Sequence, residues 1–428
     1  MTNKNTLKTI IIDNQTLPKI DIWPRDLTIP LNSNKIITLA GVRRSGKTYH
    51  LFNLIKKLKA QGVSAKKILY INFEDERLQL TIDQLDLLIE SFRELNPEQD
   101  LSECYFFFDE IQEVGGWEKF ITRVYANLTK NIFITGSNAK LLSKEIATSL
   151  RGRTITYEVF PLSFSEYVSI LSPDINPQSS QGKAQIINLF NQFLYDGGFP
   201  ELIKLSKDVR YKTLQEYFNV MVIRDLIERY EISQGAILKY FCKRVVANTA
   251  GEFSVNKIYR ELKSQGYQIS KNTLYDYQDY LEAIYLARFI PKYSHSIVKT
   301  EMSQKKSYVI DTGLGTALDY KLEQDQGRLL ETLVALELLK QGKQVTYQQN
   351  GSECDFAVME KNQVVDAIQV AFALNAGETK DREIKGLINA CKKFKLKQGY
   401  ILTHNQEDEL ELDSIKISVI PTWKYFLN

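Results

Sequence analysis

The stretch Gly41-Val-Arg-Arg-Ser-Gly-Lys-Thr48 decides how the first third of this sequence folds. It fits the pattern G-x-x-x-x-G-K-[ST] in full. It follows the short apolar run 36–40, which predicts a strand, and it leads into a helical periodicity over 48–58. The glycines let backbone N–H groups turn inward around phosphate groups, and the helix N-terminus adds its positive end. The sequence therefore predicts a phosphate-binding loop.

The loop supplies the candidate ligands of a nucleotide. Lys47 would place its ammonium on the β- and γ-phosphates, and Thr48 would offer its hydroxyl to Mg²⁺. The expected cofactors are therefore ATP and Mg²⁺. A chance glycine-rich turn is the alternative, which the strand and helix on either side disfavour. The remaining loop residues expected at the nucleotide are Gly41, Arg43, Arg44, Ser45 and Gly46.

A second apolar run, 105–108, ends in Asp109 and Glu110. In an open α/β sheet, ligands bind at the carboxyl ends of the strands, which is where such a run would deliver its acids. We expect Asp109 to hold Mg²⁺, usually through water, and Glu110 to orient or deprotonate the attacking water. The plainer alternative is a strand that ends in two solvated acids.

Two further segments add candidate catalytic residues. Ser137 and Asn138 follow another predicted strand, where either side chain could hold the water with Glu110, or the segment could be a turn that caps a helix. Arg151 and Arg153 precede a fifth strand. Arginine stabilises transferring phosphoryl charge, often from a neighbouring subunit, although surface arginines are also common.

The spacing of apolar runs predicts the fold class. Short apolar runs separated by helical patterns are typical of a buried parallel sheet covered by helices, which is an α/β fold. Residues 190–293 are helical by pattern, and 306–428 return to mixed strands and helices. A polar stretch over 172–182 predicts a linker. The five predicted strands are 36–40, 68–73, 105–108, 132–135 and 154–159.

Composition excludes several other classes. The net charge of +3 is too small to indicate nucleic acid by itself. Four dispersed cysteines without a CxxC pair and three scattered histidines argue against a zinc site or a disulfide framework. Residues 1–8 contain no apolar signal core, and no apolar run approaches the roughly 20 residues of a membrane span. We expect a soluble, cytoplasmic protein without membrane contact.

Together these segments resemble a group of bacterial and archaeal AAA-type ATPases. Members of that group carry a C-terminal domain of unknown function with a restriction-endonuclease-like fold. The resemblance also implies a homo-oligomer, such as a ring. It rests on the phosphate loop, on Asp109 and Glu110, and on the segments 72–77, 135–137, 150–153, 160–164, 197–201 and 311–314.

The resemblance implies four regions along the chain. These are an AAA-type P-loop ATPase core at 1–170, a helical lid-like region at 171–235, a winged-helix-like region at 236–296, and a restriction-endonuclease-like α/β domain at 297–428.

The winged-helix-like region offers candidate DNA contacts. A helix is expected over 253–262, and a second should begin after Ser270 as N-cap. Helix-turn-helix geometry would then place Lys271, Asn272 and Thr273 towards a groove of DNA. Protein contact is the alternative, and nearby aspartates at 276 and 279 dilute the positive charge.

The last region departs from an active nuclease. The resemblance implies a helix acid, an Asp on a strand, and Glu-x-Lys on the next strand. Glu331 and Asp355 match the first two positions, but Gln369 and Ala371 stand in place of the last pair. An amide is a poor magnesium ligand and a methyl group cannot organise water, so we predict no DNA cleavage.

Residues 380–397 carry seven basic side chains and two acids. Lys392, Lys393 and Lys395 could bind phosphates of DNA, or they could lie on a solvated helix face. The sequence thus leaves three functions open. The first is an ATP-hydrolysing protein that acts on duplex or branched DNA. The second is a nucleotide-dependent conformational switch that binds a protein partner, and the third, which is disfavoured, is an ATP-controlled nuclease.

Overall fold

A computed structural model describes residues 3–16, 21–137, 150, 152–349, 352–375 and 377–427. The chain divides into two compact units, which we call unit 1 (residues 1–159) and unit 2 (residues 160–428). In the part of the chain so described, no helix is both long enough and apolar enough to cross a membrane.

Unit 1 contains a five-stranded parallel sheet in the order β2-β3-β4-β1-β5. The prediction of a parallel α/β sheet is therefore confirmed. Because all five strands run the same way, the segments that follow β1, β3 and β4 meet at one edge. The strands are β1 (Ile36–Ala40), β2 (Ile68–Asn72), β3 (Tyr105–Asp109), β4 (Asn131–Gly136) and β5 (Thr154–Glu158).

Four helices of unit 1 have defined bounds. They are α1 (Lys4–Gln15), α2 (Lys47–Ala60), α3 (Leu85–Leu95) and α4 (Trp117–Asn127). Helix α2 follows the phosphate loop and confirms the predicted helical periodicity. Its apolar side chains at Leu51, Leu54, Ile55 and Leu58 are buried in one core cluster with β1 and β4. This packing fixes the start of α2 against the carboxyl end of β1.

Unit 2 begins with helices α5 (Phe164–Leu171), α6 (Ser180–Asp196) and α7 (Lys207–Val220), the last of which continues as a π-helix over Met221–Glu228. The linker prediction for 172–182 was wrong at its end, because α6 already begins at Ser180. The Ser179 side chain accepts a hydrogen bond from the Gly182 N–H and caps this helix.

A small three-stranded antiparallel sheet follows, in the order β6-β8-β7. The predicted helix start at residue 270 is confirmed, because the Ser270 side chain accepts a hydrogen bond from the Thr273 N–H. The elements are α8 (Gly235–Ala247), β6 (Gly251–Phe253), α9 (Val255–Ser264), α10 (Lys271–Ala283), β7 (Ala287–Pro291), α11 (Ile297–Glu301) and β8 (Lys305–Val309).

The remainder of unit 2 is built on a six-stranded mixed sheet in the order β13-β14-β12-β11-β10-β9. Its strands are β9 (Gln344–Gln349), β10 (Glu353–Glu360), β11 (Gln363–Ala371), β12 (Gln398–Thr403), β13 (Asp408–Leu412) and β14 (Ile415–Pro421). Its helices are α12 (Thr312–Leu318), α13 (Tyr320–Gln324), α14 (Gln326–Lys340), α15 (Glu378–Phe394) and α16 (Thr422–Leu427).

Two of the segments that carried the resemblance meet in unit 2, although they lie far apart in sequence. Asp311 caps α12 by accepting a hydrogen bond from the Leu314 N–H at 2.9 Å. Its second oxygen accepts from the Gly198 N–H at 2.7 Å. Gly197 has φ +73°, and a Cβ there would lie 2.1 Å from the Asp311 carboxylate. The glycine pair therefore serves to bring backbone onto a buried carboxylate.

Candidate functional site

The phosphate loop lies between β1 and α2, as predicted. Arg44 and Gly46 both have positive φ, +70° and +98°, so the backbone curls before the helix starts. A Cβ at Gly41 would stand 2.1 Å from the carbonyl oxygen of Val159, so only glycine fits there. The loop thus has the curled backbone that a bound phosphate requires.

Lys47 is nearly buried, with 4% of its side chain exposed. Its ammonium donates to the carbonyl oxygens of Gly41 at 3.2 Å and Val42 at 3.3 Å. It also lies 3.4 Å from the nearer Glu110 carboxylate oxygen. These contacts are long for charge-assisted hydrogen bonds, which are usually about 2.7–2.9 Å. Phosphate oxygens could therefore replace them at little cost.

Asp109 is fully buried at the end of β3. Its carboxylate accepts hydrogen bonds from the hydroxyls of Tyr70 (2.9 Å), Thr135 and Thr48. Burial, and then the charge of Glu110, raise the pKa of Asp109 to about 6. A carboxylate beside the Thr48 hydroxyl suits Mg²⁺, which prefers oxygen ligands. Thr48 and Asp109 are thus the residues that would hold the metal ion.

Glu110 has φ +50°, a left-handed conformation that is uncommon for a residue with a side chain. Its N–H donates to the Thr135 hydroxyl at 2.8 Å, which holds this conformation in place. Burial opposes its ionisation, but the charge of Lys47 and a hydrogen bond from Gln112 prevail and lower the pKa of Glu110. The side chain is therefore an ionised base beside the phosphate loop. Strained backbone of this kind is concentrated at functional sites.

Ser137 lies directly after β4 and is buried. Its hydroxyl has no hydrogen-bond partner among the described residues, and the same is true of the Ser45 hydroxyl in the loop. Buried hydroxyls normally have a partner, so two unsatisfied ones at the same sheet edge fit a site that awaits a polar ligand. Asn138, the other residue predicted here, lies outside the described residues.

Residues 33–168 match a family described as an AAA domain, and residues 187–326 match a domain of unknown function, DUF8612. The uncharacterized protein MJ1544 of Methanocaldococcus jannaschii is 36% identical over 98% of this chain and 94% of its own length. The chain belongs to the MJ1544 family.

A second relative of this AAA-type chain is an uncharacterized protein of Haemophilus influenzae. It is 29% identical over 91% of this chain and 94% of its own length. A Walker-type ATPase of Pyrococcus abyssi, PABY2304, aligns with 74% of this chain and 96% of its own, at 16% identity and a TM-score of 0.43.

Two loop arginines predicted at the nucleotide have other contacts as well. Arg43 forms an ion pair with Glu74, at 2.8 Å between Nη1 and Oε1. Arg44 is exposed at the tip of the loop. Arg25, which the sequence did not single out, donates from Nη1 to the Ser45 carbonyl oxygen at 3.1 Å. In this member of the MJ1544 family, a segment before β1 thus braces the phosphate loop.

Arg153 lies at the other edge of the sheet. Its carbonyl oxygen accepts a hydrogen bond from the Ile36 N–H at the amino end of β1, and its guanidinium lies 5.6 Å from the Tyr125 ring centre. The length of β1, roughly 15 Å, separates it from the loop that follows that strand. Arg153 therefore cannot reach its own phosphate loop. Arg151 lies outside the described residues.

The prediction missed three residues that position the acids. Tyr70 and Thr135 hydrogen-bond to Asp109, and Gln112 hydrogen-bonds to Glu110. Thr135 had a detectable signal, because it is the last residue but one of β4, the strand beside β3, and its neighbour Ile134 pairs with Phe108. Once the strand order is known, a hydroxyl must lie next to Asp109.

The nuclease-like positions in unit 2 also come together, around a lysine that the prediction missed. Lys306 contacts the carboxylates of Glu331 on α14 and Asp355 on β10. Burial, and then the charge of Asp355, raise the pKa of Glu331 to about 8. Gln369 accepts a hydrogen bond from the Asp355 N–H at 3.2 Å, and Ala371 is buried in an apolar cluster.

The three candidate DNA contacts on α10 differ in solvent exposure and in hydrogen bonding. Lys271 and Asn272 are exposed, whereas the Thr273 hydroxyl is hydrogen-bonded to the Ser270 hydroxyl at 2.9 Å. The exposed Lys271 ammonium lies 5.4 Å from the Tyr259 ring centre.

The basic segment near residue 392 is not one helix face. Lys392 forms an ion pair with Asp413 at 2.7 Å, and Lys393 donates to the Gln348 side chain at 2.6 Å. Helix α15 ends at Phe394, so Lys395 is the C-cap and lies beyond the helix. The helix expected over 380–397 is therefore present up to Phe394, and only its last three residues lie beyond the helix.

Proposed function

We propose that this protein binds ATP with Mg²⁺ in unit 1 and hydrolyses it. The observation that carries the proposal is the grouping of Lys47, Thr48, Asp109 and Glu110 at one buried edge of the sheet. These are the residue types that hold phosphate, metal and attacking water in phosphoryl transfer.

Each residue has a role that follows from its contacts. Lys47 moves from its long bonds with loop carbonyls onto the phosphates. Thr48 and Asp109 hold Mg²⁺, which when bound neutralises phosphate charge. Glu110, kept ionised by Lys47, orients the attacking water. Ser137, whose hydroxyl has no partner among the described residues, donates it to that water or to the γ-phosphate.

Binding of a fluorescent ATP analogue tests the first step. Wild type should bind with Mg²⁺ and lose affinity in EDTA, whereas Asp109→Asn should bind with little dependence on Mg²⁺. Asp86→Asn, a change in an exposed residue on α3, is the matched control. Equal binding by all three proteins in EDTA and in Mg²⁺ would contradict the assigned metal site.

We further propose that the active form is a homo-oligomer in which Arg153, or Arg151, serves the site of a neighbouring copy. The support is the place of Arg153 at the sheet edge opposite its own loop. Arg153→Ala and Lys47→Ala should each be inactive alone. Mixed together, they should recover part of the activity, because one supplies the loop and the other the arginine.

DNA is the partner we propose for the region around α10. The order of helices and strands from α8 to β8, with a three-stranded sheet, supports a winged helix. Helix α10 exposes Lys271 and Asn272, which suits contact with DNA. Duplex or branched DNA should then accelerate ATP hydrolysis, and Lys271→Ala should weaken binding and lower its dependence on salt.

A second candidate function has its own observation. The short helix α11 and the residue after it expose Ile297 (77%), Val298 (66%) and Met302 (84%). Exposed apolar side chains grouped in this way mark protein contacts more often than DNA contacts. This favours a nucleotide-dependent switch that binds a protein partner. Turnover that no DNA changes, together with partner binding lost in Ile297→Ser, would select the switch over the DNA-dependent ATPase.

For residues 297–428 we propose a restriction-endonuclease-like fold without cleavage activity. The support is the succession of α14, three strands, α15 and β12, with Glu331 and Asp355 brought together. Gln369 and Ala371 remain the reasons to expect no cleavage. Manganese-dependent cleavage of branched DNA that Asp355→Ala abolishes would overturn this expectation.

A further inference from the structure

Lys306 is the most completely paired cation that we find in the described part of unit 2. It lies on β8, and 4% of its side chain is exposed. Its ammonium lies 2.9 Å from a carboxylate oxygen of Glu331, 2.6 Å from one of Glu353, and 3.1 Å from one of Asp355. The ammonium donates hydrogen bonds to Glu331 and Asp355, and its contact with the partly exposed Glu353 is an ion pair.

The partners of Lys306 are themselves held in place. The Tyr308 hydroxyl, two residues along β8, donates to Glu331 at 2.8 Å. The Val370 N–H on β11 donates to the second oxygen of Asp355 at 3.0 Å. The carboxylates therefore belong to α14 and β10, while the cation comes from β8 of the small sheet. The Lys306 side chain therefore joins the three-stranded sheet to the six-stranded sheet.

This inference rests on the restriction-endonuclease-like fold proposed above, which implies a divalent metal ion between Glu331 and Asp355. A magnesium or calcium ion would need oxygen ligands at about 2.0–2.6 Å. The ammonium nitrogen already stands at 2.9 Å and 3.1 Å from these two carboxylates. A metal ion at this position would thus overlap with the ammonium. Both are positively charged, so they would also repel each other. In the described residues no set of acids, cysteines or histidines is arranged to hold a metal ion. The residues present do not fit the metal.

We propose that Lys306 is a tethered cation that takes the place of the divalent metal ion in this nuclease-like site. The ammonium offsets part of the negative charge of the acids and ties β8 to α14 and β10. The site is therefore closed to metal in the wild-type protein, and its acids serve to hold two sheets together. This is an internal block on cleavage that is independent of the missing lysine at position 371.

Manganese binding to the nucleotide-free protein tests the proposal. Wild type, Lys306→Met and Lys305→Met would be titrated with Mn²⁺ and followed by electron paramagnetic resonance. Lys305 is the neighbouring lysine on the same strand and is less buried, which makes it the matched control. Any Mn²⁺ held in unit 1 is common to all three proteins and cancels in the difference.

The proposal predicts that Lys306→Met binds one more Mn²⁺ than wild type or Lys305→Met. That extra ion should be lost when Glu331→Gln or Asp355→Asn is added to Lys306→Met. Saturating Mn²⁺, about 100-fold above Kd, should also raise the Tm of Lys306→Met by roughly 5 °C or more beyond any rise seen in Lys305→Met.

Two results would overturn the proposal. One is a folded Lys306→Met protein that gains no Mn²⁺ site. The other needs no Lys306 variant and so covers the case in which Lys306→Met fails to fold. It is a Mn²⁺ ion bound by wild type and lost in Asp355→Asn, which would show that metal and ammonium coexist. Wild type that binds no such ion supports the closed site.

Discussion

Each unit buries a lysine close to at least one carboxylate, and the two lysines differ in how strongly their ammonium groups are paired. Lys47 and Lys306 are equally inaccessible, each with 4% of its side chain exposed. The carboxylate oxygen near Lys47 is 3.4 Å away, and its other partners are neutral carbonyl groups. Lys306 instead has three carboxylates at 2.6–3.1 Å.

The two lysines show that residue type alone does not define a site. A lysine held by long, weak bonds can transfer to an incoming phosphate, because the exchange costs little. A lysine that is hydrogen-bonded to two carboxylates and ion-paired with a third would lose much stronger interactions on transfer to a ligand. Burial strengthens the electrostatic interactions of both lysines with their partners, since charges interact more strongly away from water. We therefore propose that Lys47 in unit 1 accepts a ligand, whereas in unit 2 the Lys306 ammonium occupies the place of one.

The largest effect should come from Glu110→Gln. The change keeps shape and removes the base, so ATP should still bind while turnover falls by about 10²- to 10⁴-fold. Single-turnover hydrolysis and binding of a labelled nucleotide would be measured on the same protein. Glu98→Gln, on an exposed loop, is the control and should match wild type. Full activity in Glu110→Gln would exclude the assigned role.

Lys306→Met should have the largest effect on stability. Removing one partner of a buried ionic group leaves uncompensated charge and costs about 3–5 kcal/mol. Urea unfolding would be compared with that of Lys305→Met, for which we expect a change of less than about 1 kcal/mol. Equal stability of the two variants would show that the carboxylates around Lys306 do not depend on it.

Ser137→Ala should have a smaller effect on the site in unit 1. A hydrogen bond to a charged group contributes about 1.5–3 kcal/mol, so turnover should fall by roughly 10- to 100-fold. Ser91 on α3 is the matched control, since its hydroxyl is also buried without a partner among the described residues. A loss in Ser91→Ala as large as in Ser137→Ala would assign the effect to folding.

The smallest effect concerns the charge of Asp109. This carboxylate receives hydrogen bonds from three hydroxyls, whereas Asp355 in unit 2 faces an ammonium. The pKa of Asp109, about 6, lies above the ordinary value of 3.8. Between these values the folded protein binds more protons, so the contribution of Asp109 to stability falls as pH rises from about 4 to about 6. In nucleotide-free protein, the stability of wild type relative to Asp109→Asn should fall over this window and be flat above it.

Much of unit 1 was predictable, because its signals are local. The loop 41–48 has a fixed spacing, and the apolar runs before it and before Asp109 are short and uninterrupted. A parallel sheet then requires their ends to meet. Thr135 and Tyr70 were missed because their role depends on which strands are neighbours, and strand order is not a local property of sequence.

Unit 2 was less predictable for the same reason. The acids at 331 and 355 follow a pattern in sequence, but Lys306 reaches them from the preceding sheet. No spacing relates a lysine on β8 to a carboxylate on β10. A local indication of the role of Lys306 was Tyr308. Two residues further along β8, it lies on the same face of the strand and contacts the same Glu331.

The central claim is that unit 1 is an ATP-hydrolysing site, and steady-state phosphate release with Mg²⁺ and ATP tests it most directly. Wild type would be compared with Lys47→Ala and with Lys56→Ala, an exposed lysine on the same helix. We predict that Lys47→Ala loses about 10²-fold or more of the activity while Lys56→Ala retains it. A wild-type protein without activity, or a Lys47→Ala protein as active as Lys56→Ala, would contradict the account.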